Sequence, residues 1–124
     1  MYITSRDVRE LQLAKAAVRA GIETLLTLSG RRAADIERVL IAGGFGAALN
    51  VKSACGIGML PMELVDKTES LGNCSGLGAA MALGAQARSQ LENIRALCRY
   101  EELGESELFG EKYIAAMMFG EDED

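Results

Sequence analysis

Histidine and tryptophan are missing from the 124-residue chain, and proline occurs once, at Pro61. Without histidine, neither Ser-His-Asp nor Cys-His catalysis can be assembled, and a histidine metal site is excluded as well. The three cysteines, Cys55, Cys74 and Cys98, are odd in number, far apart and free of any CxxC pair. That spacing supports neither a zinc ribbon nor an iron–sulfur cluster, and buried reduced thiols are expected. Positive charge is in deficit, with 13 Lys and Arg against 18 Asp and Glu, a net charge of −5. Duplex nucleic acid, which demands a basic surface, is therefore not an expected partner. No run approaches the roughly 18 consecutive apolar residues of a membrane helix. Ser5, Arg6 and Asp7 interrupt any signal-peptide pattern, so a cytoplasmic location without membrane contact is expected. No GxxxxGK[ST] phosphate loop occurs, and neither a catalytic residue nor a metal ligand is predicted. Chemistry must come from backbone groups, carboxylates or a partner segment.

What is present is an ordinary globular composition, 49% apolar and 25% charged. One domain is expected over residues 1–119, followed by an acidic tail at 120–124, where Glu121, Asp122, Glu123 and Asp124 close the chain. Thr4 with Asp7 three residues on predicts a capping box. Val8, Leu11, Ala14, Val18, Ile22 and Leu25 then mark the inward face of a long helix, which Gly30 ends. Arg19 and Glu23 form a solvated i,i+4 pair on this reading. Asp35 starts a single turn, and Val39-Leu40-Ile41-Ala42 reads as a short buried strand. Asn50 caps a short helix closed by Gly56 and Gly58, with Pro61 preventing continuation. A strand is expected within 65–71, a second long helix from Asn73 or Ser75 through Ile94, a last strand over 99–103 and a terminal helix over 106–118. In the second long helix, Gly76, Ala80 and Gly84 form a ridge of small residues. In the terminal helix, Phe109, Tyr113, Ile114 and Met117 point inward. Alternating helices and strands predict an α/β fold. Two or three short strands are few for a sheet, so the chain is expected to be part of a larger domain, with exposed strand edges that invite self-association.

Two glycine-rich segments could carry a ligand. The strand running into Gly43-Gly44-Phe45-Gly46 places bare backbone at the carboxyl edge of a sheet, where open α/β folds bind ligands. Its N–H groups could approach a phosphate or nucleoside closely. The alternative is a tight turn needing positive φ at Gly43 or Gly44. A dinucleotide fold would use Gly44, Gly46 and Asp66, but Leu49 stands where its third glycine belongs. Gly72-Asn73-Cys74-Ser75-Gly76-Leu77-Gly78 is the second segment, in which Asn73 either binds a ligand or caps a helix. Cys74 and Ser75 lack both a nucleophile frame and a base, and read as capping or packing residues. The carboxylates Asp35, Glu63, Asp66 and Glu69 are scattered, with no paired acid–base spacing.

Several segments in order resemble one family. They are Ile3-Thr4-Ser5-Arg6-Asp7-Val8-Arg9-Glu10-Leu11-Gln12-Leu13-Ala14-Lys15-Ala16-Ala17, Ile41-Ala42-Gly43-Gly44-Phe45-Gly46, Ile57-Gly58-Met59-Leu60-Pro61, Gly72-Asn73 and Ala115-Ala116-Met117-Met118-Phe119. Together they resemble the C-terminal domain of the corrinoid-protein reductive activators, within the acetate and sugar kinase, Hsp70 and actin superfamily (ASKHA). The resemblance implies part of a ribonuclease-H-like lobe with ATP bound between two lobes. It assigns the adenosine side of that site to Gly43, Gly44, Phe45 and Gly46, supported by Asn73. It further implies Mg²⁺ held with the β- and γ-phosphates by the other lobe, a [2Fe–2S] domain N-terminal to it, and a corrinoid protein as partner. ATP would then drive reduction of Co(II) corrinoid to Co(I).

Neither the phosphate loops nor the iron–sulfur cysteines of such activators occur in this chain. It is therefore expected to be a domain fragment, inactive alone as an ATPase or electron carrier. Met1 directly before the first matched segment fits an artificial or misannotated start. The rest of its own polypeptide and a homodimer are further expected partners. Two other functions stay open at this level: a module that docks the corrinoid protein without nucleotide, and part of a 2-hydroxyacyl-CoA dehydratase-type activator.

Overall fold

The computed structural model describes residues 2–119, except the side chain of Phe45. The expected acidic tail at 120–124 lies outside the described residues. The elements run α1 (Ser5–Leu28), β1 (Val39–Ala42), α2 (Gly44–Ala48), α3 (Val51–Gly56), β2 (Thr68–Gly72), α4 (Ser75–Met81), α5 (Ala85–Leu97) and α6 (Glu107–Ala115). Two 3₁₀ turns, Ala33–Asp35 and Met62–Lys67, fill the longer connections. The chain divides into two compact units. The first takes Met1–Val39, Asn50–Thr68 and Glu102–Asp124; the second takes Leu40–Leu49 and Glu69–Glu101.

In the first unit, α1 is bounded as its sequence dictates. Thr4 accepts from the Asp7 N–H through Oγ1, and the Asp7 carboxylate accepts from the Thr4 N–H at 2.9 Å, a complete capping box. The Thr4 hydroxyl, donating to Asp7 Oδ2 at 2.6 Å, and secondarily the Thr4 N–H hold the Asp7 carboxyl below its ordinary pKa. At the other end Gly30 has φ +65°, its N–H bonds the Thr27 carbonyl, and the Arg31 N–H bonds the Leu26 carbonyl. This paired closure is a Schellman motif, and the left-handed glycine makes it possible.

The buried side of α1 is not the expected one. Val8, Leu11, Val18 and Leu25 are exposed, whereas Lys15, Ala16, Ala20 and Thr24 are buried. At about 100° per residue, Ala16, Ala20 and Thr24 stand opposite Leu11 and Val18. The reason is steric. Small side chains at Ala16 and Ala20, both 0% exposed, let the rest of the unit close over this side, while the bulkier face carries no covering layer within the unit. Ala54, Cys55, Met59, Leu60 and Leu64, from α3 and the turns after it, complete the core. Burial pushes the Cys55 thiol above its usual pKa, and the Sγ donates to the Pro61 carbonyl at 3.8 Å. Cys74 is half-buried and Cys98 exposed, so only one of the three thiols is buried as expected.

Lys15 is the unusual core residue. It is 1% exposed, and its ammonium donates to the carbonyls of Ala116 at 2.8 Å and Met118 at 2.5 Å. The Nζ also lies 4.9 Å from the centre of the Phe119 ring. Ala116 is the C-cap of α6 and Met118 follows it, so the cation sits at the helix C-terminus, where it matches the helix dipole. Desolvation, and secondarily the Arg19 charge, lower the Lys15 pKa. Arg19 and Glu23 do pair, but both are half-buried, and Lys112 of α6 joins them at 3.6 Å from Glu23.

Further corrections are local. Asp35 ends its turn rather than starting it, accepting from the Arg32 N–H at 2.9 Å. The expected strand within 65–71 begins only at Thr68, because Met62–Lys67 forms a 3₁₀ turn, anchored by Lys67 Nζ on the Ile36 carbonyl at 2.6 Å. Residues 99–103 form no strand; there Arg99 pairs with Glu101 at 2.8 Å. In α6, capped by Ser106, Phe109 stacks on Tyr113, but Ile114 is exposed rather than inward.

In the second unit, β1 and β2 pair in parallel, and α2, α4 and α5 follow from them. The expected long helix is two, because the chain leaves helical geometry at Gly84, the N-cap of α5, with ψ 135°. The proposed small-residue ridge is broken there. Among the described residues of this unit Gly46 alone is buried, and Leu77, Met81, Leu83, Leu91, Ile94 and Leu97 are exposed.

Replacing Lys15 by Met, which keeps apolar volume and removes the donors, is expected to leave the Ala116 and Met118 carbonyls unpaired. The cost is about 1–3 kcal/mol of stability, measurable by urea unfolding.

Candidate functional site

Gly43 joins strand to helix. Its φ of +104° is closed to ordinary side chains, and it forms the N-cap of α2. The Gly43 N–H donates to the Gly72 carbonyl at 2.8 Å, carrying the pairing of β1 and β2 one step beyond the strand. Gly72 itself has φ +67°. Each parallel strand therefore ends on a left-handed glycine, and the two glycines are hydrogen-bonded to each other. The first bond of α2 runs from the Ala47 N–H to the Gly43 carbonyl at 3.1 Å, so the N–H groups of Gly44, Phe45 and Gly46 precede the helical ladder.

The three glycines of the turn differ in role. A Cβ on Gly43 or Gly44 would meet nothing within 4 Å, so both lie open. A Cβ on Gly46 would fall 2.3 Å from Ile41 Cγ2, so Gly46 is required by packing against β1. Ser70 of β2 donates through Oγ to the Gly46 carbonyl at 2.8 Å and fixes the turn from the neighbouring strand. A serine flanked by Glu69 and Leu71 gives no sequence signal for this, and the bracing role was missed.

Asn73 is exposed, and its Oδ1 accepts from the Ser75 N–H at 3.4 Å, long for a hydrogen bond. Cys74, not Asn73 or Ser75, holds the N-cap position of α4, without a side-chain capping bond. Its Sγ points back, donating to the Leu71 carbonyl at 3.1 Å. Gly43, Gly44, Gly46 and Asn73 thus all belong to the second unit, at the carboxyl ends of its two strands; of Phe45 only the backbone is described. Asp35, Glu63 and Asp66 belong to the first unit, and Glu69 opens the second unit's part of β2. Among the described residues no group of acidic, cysteine or histidine side chains could hold a metal ion, and no helix is long and apolar enough to cross a membrane.

Residues 1–124 match, over their whole length, the family described as the C-terminal domain of RACo, the ASKHA domain. The chain belongs to this family. It is 36% identical over 122 residues to the corrinoid activation enzyme RamQ of Eubacterium limosum, covering 98% of this chain and 21% of that protein. It also superposes on the solved structure of a reductive activator for corrinoid, iron-sulfur protein, with a TM-score of 0.83 and 37% identity over 94% of this chain. That overlap is 19% of the solved chain, so this RACo-type domain spans about a fifth of the length of the relatives it matches. The α/β arrangement expected from the sequence, short strands with flanking helices in an actin-like, ribonuclease-H-like lobe, is the one this family has.

The packing distinguishes two neighbouring substitutions. Gly46→Ala is expected to cost about 1–3 kcal/mol, because the β-branched Ile41 has little freedom to yield. Gly44→Ala, with open space around it, should change thermal stability little; parallel melts of the two variants test the contrast.

Proposed function

We propose that this chain is the C-terminal lobe of an ATP-dependent reductive activator of corrinoid methyltransfer proteins, and that it supplies the adenosine side of the ATP site. The observation that carries this is the junction of Gly43 with Gly72, which sets bare backbone at the carboxyl end of paired parallel strands. Ligands of open α/β folds lie at such strand ends. Gly43, Gly44, Phe45 and Gly46 contact sugar and α-phosphate through backbone, and Asn73, whose side-chain bond is long, is free to turn toward the nucleoside. Gly46 and Ser70 act one step behind, by holding the turn in shape.

On this reading Mg²⁺ and the outer phosphates are held by another lobe, and a [2Fe–2S] centre belongs to a part N-terminal to this one. ATP use is then coupled to reduction of the corrinoid partner in the cytoplasm. Both named relatives are corrinoid activators, which favours that class over a 2-hydroxyacyl-CoA dehydratase activator. The exposed Leu77, Met81, Leu91, Ile94 and Leu97 of α4 and α5 are surface that the remaining polypeptide, or a second copy, covers.

Gly44→Val tests the site without disturbing the turn, because Gly44 has ordinary φ and no neighbour within 4 Å of its Cβ position. In the longer protein that carries both lobes, this variant is expected to bind ATP at least tenfold more weakly by calorimetry and to lose ATP-dependent corrinoid reduction. It should keep wild-type melting behaviour. Unchanged ATP affinity in the variant would sink the assignment.

A further inference from the structure

A second polar concavity lies wholly within the first unit, between α1 and α6. It is a cleft of about 310 Å³ whose lining includes Lys15, Arg19, Glu23, Gly58, Lys112 and Met118. Three cations face one carboxylate there, and an adjoining hollow lined by Arg19, Glu23 and Lys112 adds Glu63, so positive charge still prevails locally in a chain whose net charge is −5. The carboxylate is already shared: Glu23 Oε1 accepts from Arg19 Nε, and its Oε2 lies 3.6 Å from Lys112 Nζ. The terminal amino groups of Arg19 make no hydrogen bond among the described residues, so a guanidinium edge is left over. Nor is this a solvated surface pair. Lys15 is 1% exposed, and the Arg19 and Lys112 side chains are only 28% and 25% exposed.

Lys15 is itself engaged, donating to the Ala116 and Met118 carbonyls just past α6, so Arg19 and Lys112 are the cations left to meet a ligand. Gly58, at φ +77°, leaves one wall without a side chain, and a Cβ there would stand 3.7 Å from Lys15 Nζ. Like charges held this close in a sheltered cleft repel one another, and the lowered Lys15 pKa reflects both burial and Arg19. We infer that this cleft binds a phosphate group, with Arg19 and Lys112 as its donors and Lys15 as the buried charge behind them. A phosphate anion complements the prevailing positive charge, and Arg presents the planar fork that phosphate oxygens favour.

The test is a titration of the isotope-labelled chain with inorganic phosphate at fixed ionic strength, followed by amide and Arg Nε–H resonances. Saturable shifts are expected at Arg19, Glu23, Gly58 and Lys112, at least tenfold weaker in affinity in Arg19→Gln and in Lys112→Gln. Lys112, held only by the 3.6 Å pair, can be changed without loss of the α1–α6 packing, so its variant decides if Arg19→Gln does not fold. Equal shifts with chloride, or undiminished binding in Lys112→Gln, overturn the inference. ADP in place of phosphate separates two sources of the same chemistry. Cleft shifts with ADP assign a nucleotide phosphate, shifts with phosphate alone assign a small phosphorylated compound, and silence with both overturns the site. The amides of residues 43–46 report separately on the nucleotide turn.

Discussion

The first unit is organised around an ammonium ion buried where a helix ends. Lys15 lies nearer the Leu11 side of α1 than the Ala20 and Thr24 side, and its ammonium reaches the carbonyls of Ala116 and Met118 just past the end of α6. Taking that charge out of water is costly, and the carbonyl bonds with the Phe119 face offset the cost. Lys15 at one point and the Glu23–Lys112 pair at another tie α1 to α6, which pack against each other. Arg19, Glu23 and Lys112 are then brought together as a consequence of that packing, not as a separate surface pair.

The second unit depends on backbone conformation rather than burial. With Gly46 alone buried among its described residues, it has little core of its own, yet its two strand ends are sharply defined. Gly43 and Gly72 provide the left-handed geometry, one hydrogen bond joins them, and Ser70 braces the turn between. Of the two alternatives at the level of sequence, the tight turn is present in the structure. Gly43 is a positive-φ turn residue, and the backbone following it is the open surface.

What could be read from sequence divides along physical lines. Local signals were legible: the Thr4–Asp7 box, the Gly30 closure, the Asn50 cap and the strand Val39–Ala42 stand where residue chemistry puts them, although that strand, expected to be buried, alternates half-buried and exposed residues. Periodicity misled on α1, because the helix carries apolar residues on two sides, and hydrophobicity favours the bulkier stripe over the alanine side that is buried. The break at Gly84 was obscured by leucines and alanines that continue a helical spacing through it. In the candidate site, the glycines were legible as a group, but their separate roles depend on Ile41 and Ser70, contacts made through pairing and packing that spacing does not encode.

The hydrogen bond between Gly43 and Gly72 has a mechanical meaning. It ties the turn that opens α2 to the turn that leads into α4, two segments separated by nearly thirty residues of chain. A displacement at either glycine cannot be absorbed locally without breaking that bond, so the two turns act as a single stiff bracket. Whatever presses on one helix start is transmitted to the other, which makes the junction a lever as much as a platform.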